Sequence, residues 1–312
     1  MDVIRFPDDP RPVRWVHPVL TLGNFDGLHR GHIKIIDRIR RGASERAGTS
    51  VVLTFDPHPP RVLRPDKAPP LLMSPDQKLA ALERAGVQGV AIVCFTHELS
   101  RWEPEVFVRR VLVDWLRVAE VWVGADFLFG HERSGTFSLL RTLGQQAGFR
   151  VEKIDPIRYK DFIVSSTRIR RLVAEGRVEE AGALLGRHYA ISGSIVPGAA
   201  RGRELGFPTA NLATRNELIP PNGVYATFVT LDGVVRPGVT NIGVRPTFGD
   251  TERVGVETHI LEFEGELYGR AAELAFVQRL RDERRFPDVD ALREQIAADV
   301  RRAERLFDRL SV

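Results

Sequence analysis

The chain has 312 residues, 43% of them hydrophobic, which exceeds one ordinary domain and is ample for two cores. Its 45 Lys and Arg against 41 Asp and Glu leave a formal charge of +4, a balance that suits anionic small molecules as readily as nucleic acid. The single cysteine excludes a disulfide framework, the charged and proline-rich first residues lack the apolar core of a signal peptide, and no apolar run approaches the roughly 20 residues that cross a bilayer, so a cytoplasmic protein is expected.

Up to about residue 186, apolar strand-like runs at 19–22, 51–55, 90–95, 118–123 and 151–154 alternate with helical text. That alternation predicts a doubly wound parallel sheet, Rossmann-like, which binds ligands beyond the carboxyl ends of its strands. The first run leads into Gly23, Asn24, Phe25, Asp26, Gly27, Leu28, His29, Arg30, Gly31 and His32, followed by a helix with apolar Ile33, Ile35, Ile36 and Ile39. Gly23, Gly27 and Gly31 remove side chains that would hold a phosphate off the backbone, so the turn reads as an anion cradle at a helix N-terminus. His29 and His32, three apart, lie on one side of the first helical turn and can both donate to a phosphate there. Two plainer readings stand beside this one: half of a metal site, although the only cysteine, Cys94, lies in an apolar run, or a simple strand-to-helix connection.

The second run ends at Thr54-Phe55-Asp56-Pro57-His58-Pro59-Pro60, where prolines fix an extended turn that presents His58. After the fourth comes a glycine-punctuated loop, Gly124 to Gly135, whose Phe127 and Phe129 suit a planar ligand, unless they only anchor the core. Val164-Ser165-Ser166-Thr167-Arg168-Ile169-Arg170 then opens a helix, and its hydroxyls and guanidinium groups together suit a triphosphate better than capping alone explains. Helical text runs over 172–185, with Gly176 and Gly182 inside it.

At Gly186 the period changes from 3.6 to 2, which divides the chain into domains 1–186 and 187–312. Short strands are expected at 189–196, 224–231, 237–242, 254–263 and 272–280, separated by turns such as Pro221-Asn222-Gly223 and Asp232-Gly233; an antiparallel β-barrel follows from them. Between the first two lies the loop from Gly198 to Asn211, rich in glycine and arginine. A helix over 290–310 closes the chain, its basic residues forming a solvated amphipathic face.

The G-x-F-D-G-x-H-x-G-H pattern at 23–32 resembles the nucleotidyltransferase signature in the form carried by prokaryotic-type bifunctional riboflavin kinase/FMN adenylyltransferases. The likeness extends in order along nearly the whole chain, through F-x-P-H-P at 55–59, the 124–130 and 165–170 segments, P-T-A-N at 208–211, N-I-G-V-R-P-T-F at 241–248, E-T-H at 257–259, and a flap at 280–286. It implies that a C-terminal barrel phosphorylates riboflavin to FMN and an N-terminal sheet adenylylates FMN to FAD, both with ATP and Mg²⁺. For adenylyl transfer it implies that His29, His32 and Arg170 stabilise charge. Gly23, Asn24, Phe25, Asp26, Gly27 and Gly31 would cradle the nucleotide, Ser166 and Thr167 would bind its phosphates, Asp126 and Phe127 would meet the ATP ribose or base, and His58 would border the flavin. For the kinase it implies Glu257 as general base, Thr209 and Asn211 as uncharged oxygen ligands of Mg²⁺, and Gly202, Arg203, Gly206, Asn241 and Arg245 around the substrates. Leu128 stands where the family pattern leads one to expect a basic residue. Two rival readings are a nucleotidyltransferase with another acceptor, against which the P-T-A-N and E-T-H pair argues, and an RNA-binding protein. The basic residues are interleaved with acids and form no aromatic-plus-basic stripe, so neither nucleic acid, membrane nor obligate protein partner is expected.

Overall fold

The computed structural model describes residues 1–160, 162–198, 202, 205–245 and 253–310, without the side chains of Arg245 and Arg253. By packing, these form two compact units, Met1–Pro70 with Pro75–Ser165, and Leu71–Ser74 with Ser166–Val312. No helix among the described residues is long and apolar enough to cross a membrane.

The first unit is a six-stranded, all-parallel sheet made of β1 (Asp2–Phe6), β2 (Val19–Leu22), β3 (Ser50–Asp56), β4 (Gly89–Cys94), β5 (Glu120–Gly124) and β6 (Arg150–Ile154), in the order β1-β4-β3-β2-β5-β6. From β2 the chain builds outward through β3 to β4 and then returns to lay β5 and β6 on β2's other side. The order therefore reverses between β2 and β5, and a crevice at the carboxyl ends of these two strands is where such a sheet takes ligands. Helix α1 (Arg30–Glu45) buries Ile35, Ile36 and Ile39 against the sheet, while α2 (Pro59–Leu63) and α3 (Pro75–Arg84) connect β3 to β4. The β4–β5 connection contains α4 (Pro104–Phe107), which runs on into a π-helical stretch Val108–Trp115, and α5 (Phe137–Ala147) precedes β6. Leu20, Leu53, Val93, Leu112, Leu116, Val121 and Val123 form the core.

Strand β1 was not expected. Only Ile4 in it is buried, so its sequence carries no apolar run; backbone pairing with β4 recruits it, and its Asp2 carboxylate accepts a bond from Trp15 Nε1 at 2.9 Å. A short hairpin, β7 (Arg158–Tyr159) and β8 (Phe162–Ile163), was not expected either.

In the second unit the helical text expected from 165 to 185 forms two helices, α6 (Ser166–Ala174) and α7 (Val178–Leu185). Gly176, at φ +74°, takes the left-handed conformation that ends α6. The pattern change at Gly186 marks where barrel strands begin, and α7 packs on two of them, β9 (Tyr189–Val196) and β14 (Ala271–Arg281). The barrel closes as β10-β13-β12-β11-β14-β9, with β10 (Ala210–Thr214), β11 (Gly223–Leu231), β12 (Val234–Arg245) and β13 (Arg253–Ile260). β10 is the strand that sequence reading lacked: it is five residues long, hidden behind the glycine-rich loop, yet it pairs with both β9 and β13 and so closes the barrel. Helix α8 (Val289–Leu310) covers part of the outer wall, burying Ala303 and Phe307 with Val224, Val239, Val277 and Leu280.

A charged clamp fixes α8. The Asp299 carboxylate, 4% exposed, accepts bonds from Arg281 Nε at 2.9 Å, Arg281 Nη2 at 2.8 Å and Gln295 Nε2 at 2.7 Å. Asp299→Ala strands a half-buried guanidinium on β14, which typically costs about 3 kcal/mol or more, against about 1.5 kcal/mol for the single bond to the carboxylate lost in Gln295→Ala. Denaturant titration of the two variants checks this, and equal losses would show that the ion pair does not hold the helix.

Candidate active sites

The β2 strand ends in a coil that only unusual backbone angles allow. Phe25 (φ +48°), Gly27 (φ +83°) and Leu28 (φ +38°) are all left-handed, and the side chains of Phe25, Asp26 and Leu28 turn into the protein. The backbone N–H of Gly23 donates to the Leu53 carbonyl at 3.1 Å, tying the start of the turn to β3.

His29 occupies the N-cap of α1, where Ser, Asp or Asn is usual, and its Nδ1 accepts the backbone N–H of His32 at 3.3 Å. An accepting Nδ1 leaves the ring N–H of His29 on Nε2. The His29 and His32 rings stack at 3.7 Å and 13°, and Phe25 lies against His32 at 4.9 Å. Three rings thus form one block at a helix end whose first turn holds no acidic residue, an arrangement that favours anions. Gly31 is required by close approach: a Cβ there would lie 3.1 Å from Nδ1 and Cε1 of His29. Among the described residues, no group of three or more His, Cys, Asp or Glu could hold a metal ion.

The parallel pairing of β2 and β5 brings the loop after Gly124 beside this turn. In that loop Asp126 is exposed, whereas Phe127 and Phe129 stack on each other at 5.4 Å and pack against the sheet core, Phe129 also meeting Phe107 at 6.1 Å. Phe129 is buried in the core, Phe127 packs on it with part of its ring still accessible, and Leu128 between them is exposed. His58, which heads α2 after β3, is 8% exposed, so its ring lies inside the protein and not on a surface turn.

Lys78 of α3 was missed by sequence reading. Its Nζ donates to the Asn24 carbonyl at 3.0 Å, and Thr54 Oγ1 donates to the same oxygen at 3.2 Å. Burial pushes the Lys78 ammonium below the usual lysine range, and the carboxylates of Asp26 and Asp56 pull it part of the way back. In sequence, a lone lysine on an amphipathic helix looks like any solvated one.

In the second unit, Ser166 is the first residue of α6, Thr167 is exposed, and Arg170 lies one turn on, half-buried. The barrel aligns residues from three separate segments. Asn211 of β10 stands opposite Glu257 of β13, and Glu257 stands opposite Asn241 of β12, so the three lie in one row across three strands and share a face. Asn241 pairs in turn with Val224, which belongs to the cluster under α8, and this places the row on the outer wall. Thr209 precedes β10, and two glycines are shaped around the pair: a Cβ on Gly198 would fall 1.8 Å from Asn211 Nδ2, and one on Gly202 would fall 3.0 Å from Thr209 Oγ1. His259, two residues after Glu257, bonds the Pro208 carbonyl through Nδ1 at 2.8 Å and meets the Phe207 ring edge-on. A hydroxyl, an amide oxygen and a nearby carboxylate are hard oxygen donors, a set that fits Mg²⁺. Gly206 takes φ +85° in open space, while Arg203 and the side chain of Arg245 lie outside the described residues.

Residues 13–168 match the family model of FAD synthetase, and residues 185–307 match that of riboflavin kinase. The chain belongs to the bifunctional riboflavin kinase/FMN adenylyltransferase family. Members with that name are 40% identical in Pseudomonas fluorescens (92% of each chain), 38% in Escherichia coli K12 (93% of this chain, 92% of the other) and 36% in Bacillus subtilis (94% and 93%). A crystal structure described as a macrolide-efflux protein from Streptococcus pneumoniae superposes with a TM-score of 0.89 at 28% identity, covering 97% of this chain and 99% of that one.

The two glycine contacts give opposite expectations for this chain. Gly31→Ala raises helix propensity by up to about 1 kcal/mol yet pushes the His29 ring, so thermal stability should hold or rise while FAD formation falls on the order of tenfold. Gly198→Ala displaces the Asn211 amide, so FMN formation should fall at least as far with FAD formation from FMN unchanged. Melting curves and separate flavin assays read both, and a Gly31→Ala enzyme with full FAD activity would remove His29 from the site.

Proposed function

We propose that the barrel phosphorylates riboflavin to FMN and the parallel-sheet domain adenylylates FMN to FAD, each step using ATP, with the functional domains divided as 1–186 and 187–312. The observation that carries the kinase reading is the Asn211–Glu257–Asn241 row, which sets a carboxylate beside neutral amides on one barrel wall. In that step Glu257 takes the proton of the riboflavin 5′-hydroxyl as the oxygen attacks the γ-phosphorus and the bond to the β-phosphate breaks, releasing ADP. Thr209 and Asn211 would hold Mg²⁺, which when bound offsets the charge of the nucleotide phosphates. Gly202 and Gly206 let the backbone approach the diphosphate, and Arg203, Asn241 and Arg245 contact substrate.

In the second step the FMN phosphate, already an anion, attacks the ATP α-phosphate in line and pyrophosphate leaves; no protein nucleophile is needed. The Nε2–H of His29, together with His32 and Arg170, donates to charge that develops on the reacting phosphate. Ser166 and Thr167 hold the triphosphate, Gly23, Asn24, Phe25, Asp26, Gly27 and Gly31 form the cradle, Asp126 and Phe127 flank the ribose or base, and His58 borders the flavin. The substrates are small molecules, neither step calls for a protein or nucleic-acid partner, and the cytoplasm is the compartment proposed, in keeping with a single free cysteine. Efflux, named for the pneumococcal structure, is not carried over, because the residues assembled in both units suit phosphate chemistry.

Incubation with riboflavin, ATP and Mg²⁺, followed by chromatography of the flavins, tests the scheme. Glu257→Gln should abolish FMN formation and leave FMN-to-FAD conversion near wild type. His32→Ala should cut FAD formation on the order of 100-fold while FMN accumulates. Parallel loss of both activities in either variant, with the fold intact, would overturn the division of labour.

A further inference from the structure

Asp26 presents an electrostatic problem. It lies in the middle of a turn shaped for phosphates and is 1% exposed, so a carboxylate there repels the ligand that the glycines and the helix end attract. Asp56, at the carboxyl end of the neighbouring β3, adds a second negative charge on the same side of the sheet. An ammonium reaches toward both: Lys78 extends across from α3, bonds the Asn24 carbonyl at 3.0 Å and feels the fields of Asp26 and Asp56. Thr54 Oγ1 already bonds that carbonyl, so a tether alone does not require a charged side chain whose burial is costly.

We propose that Lys78 is a positioning residue for adenylyl transfer, supplying the positive charge that offsets Asp26 and Asp56 so that the turn still receives phosphate anions. This rests on assigning the turn to FAD formation. Acting through Asp26 and the turn, Lys78 sets how strongly the nucleotide phosphates are drawn in, and its loss should appear mainly in KM.

The test compares Lys78→Met, Asp56→Asn and the double variant in FMN-to-FAD assays at several ATP concentrations. Lys78→Met keeps the side-chain length and removes the charge; it should lower kcat/KM for ATP about tenfold or more, chiefly through KM, with riboflavin phosphorylation unchanged. Asp56→Asn alone should stay near wild type. The double variant should recover about threefold or more over Lys78→Met, because one uncompensated carboxylate is gone. A role limited to tying α3 to the turn predicts a lower melting temperature and no recovery from Asp56→Asn. The proposal is overturned if Lys78→Met stays within about twofold of wild type or if the double variant is no better than Lys78→Met. A wild-type protein that makes no FAD would instead sink the assignment of the turn, which the same assay reads separately.

Discussion

A slip of one residue between β12 and β13 would turn Asn241 away from Glu257, because successive side chains on a strand point to opposite walls of the barrel. The kinase row therefore depends on register, and register is enforced from the other wall. Thr227, Thr240 and Thr258, all buried, form a chain of hydroxyl bonds across β11, β12 and β13, at 2.7 Å and 2.9 Å. Thr258 is the neighbour of Glu257 and Thr240 that of Asn241. A slipped strand would break these bonds, leave hydroxyls unpaired in an apolar interior, and bring the carboxylate inside with them. The interior polar chain and the outer row are two sides of one constraint.

The two units meet phosphate by different physics. In the sheet unit the proposed attraction comes from donors: a helix end, an imidazole whose Nδ1 accepts a backbone N–H, and a stack of the two histidine rings. Such donors need no reorganisation when charge develops, which is the property that lowers barriers for phosphate displacement. The barrel offers acceptors instead, a hydroxyl, an amide oxygen and a carboxylate, which suit a proton to be removed and a cation to be held. On the proposed roles, a carboxylate that takes a proton and histidines that give hydrogen bonds could not trade places.

Much of this was legible in the sequence. Five strands of the parallel sheet, five of the barrel and the terminal helix all announce themselves by periodicity, since each buries an apolar face. What escaped was held by something other than apolar pattern. β1 is recruited by backbone pairing along an edge, β10 is a short strand whose pairing on both sides matters more than its composition, and the break at Gly176 depends on one left-handed residue. Lys78 escaped because its significance lies in which carboxylates the fold brings to it. Phe127 and Phe129 were ambiguous in sequence, and it took the stacking of one on the other against the sheet core to show how they are engaged.

The residues that break local rules are ones assigned to the proposed sites. A histidine at an N-cap and a glycine in the first turn of a helix both give up stability that Ser and Ala would supply, and here the glycine is what makes room for the histidine. Asparagine and glutamate are poor strand formers, yet Asn211, Glu257 and Asn241 sit in three strands and in one row. A random scatter of disfavoured residues would weaken strands at unrelated places. Their alignment confines the weakness to one band of the barrel wall, where it serves polar chemistry and leaves the interior wall free to hold the register.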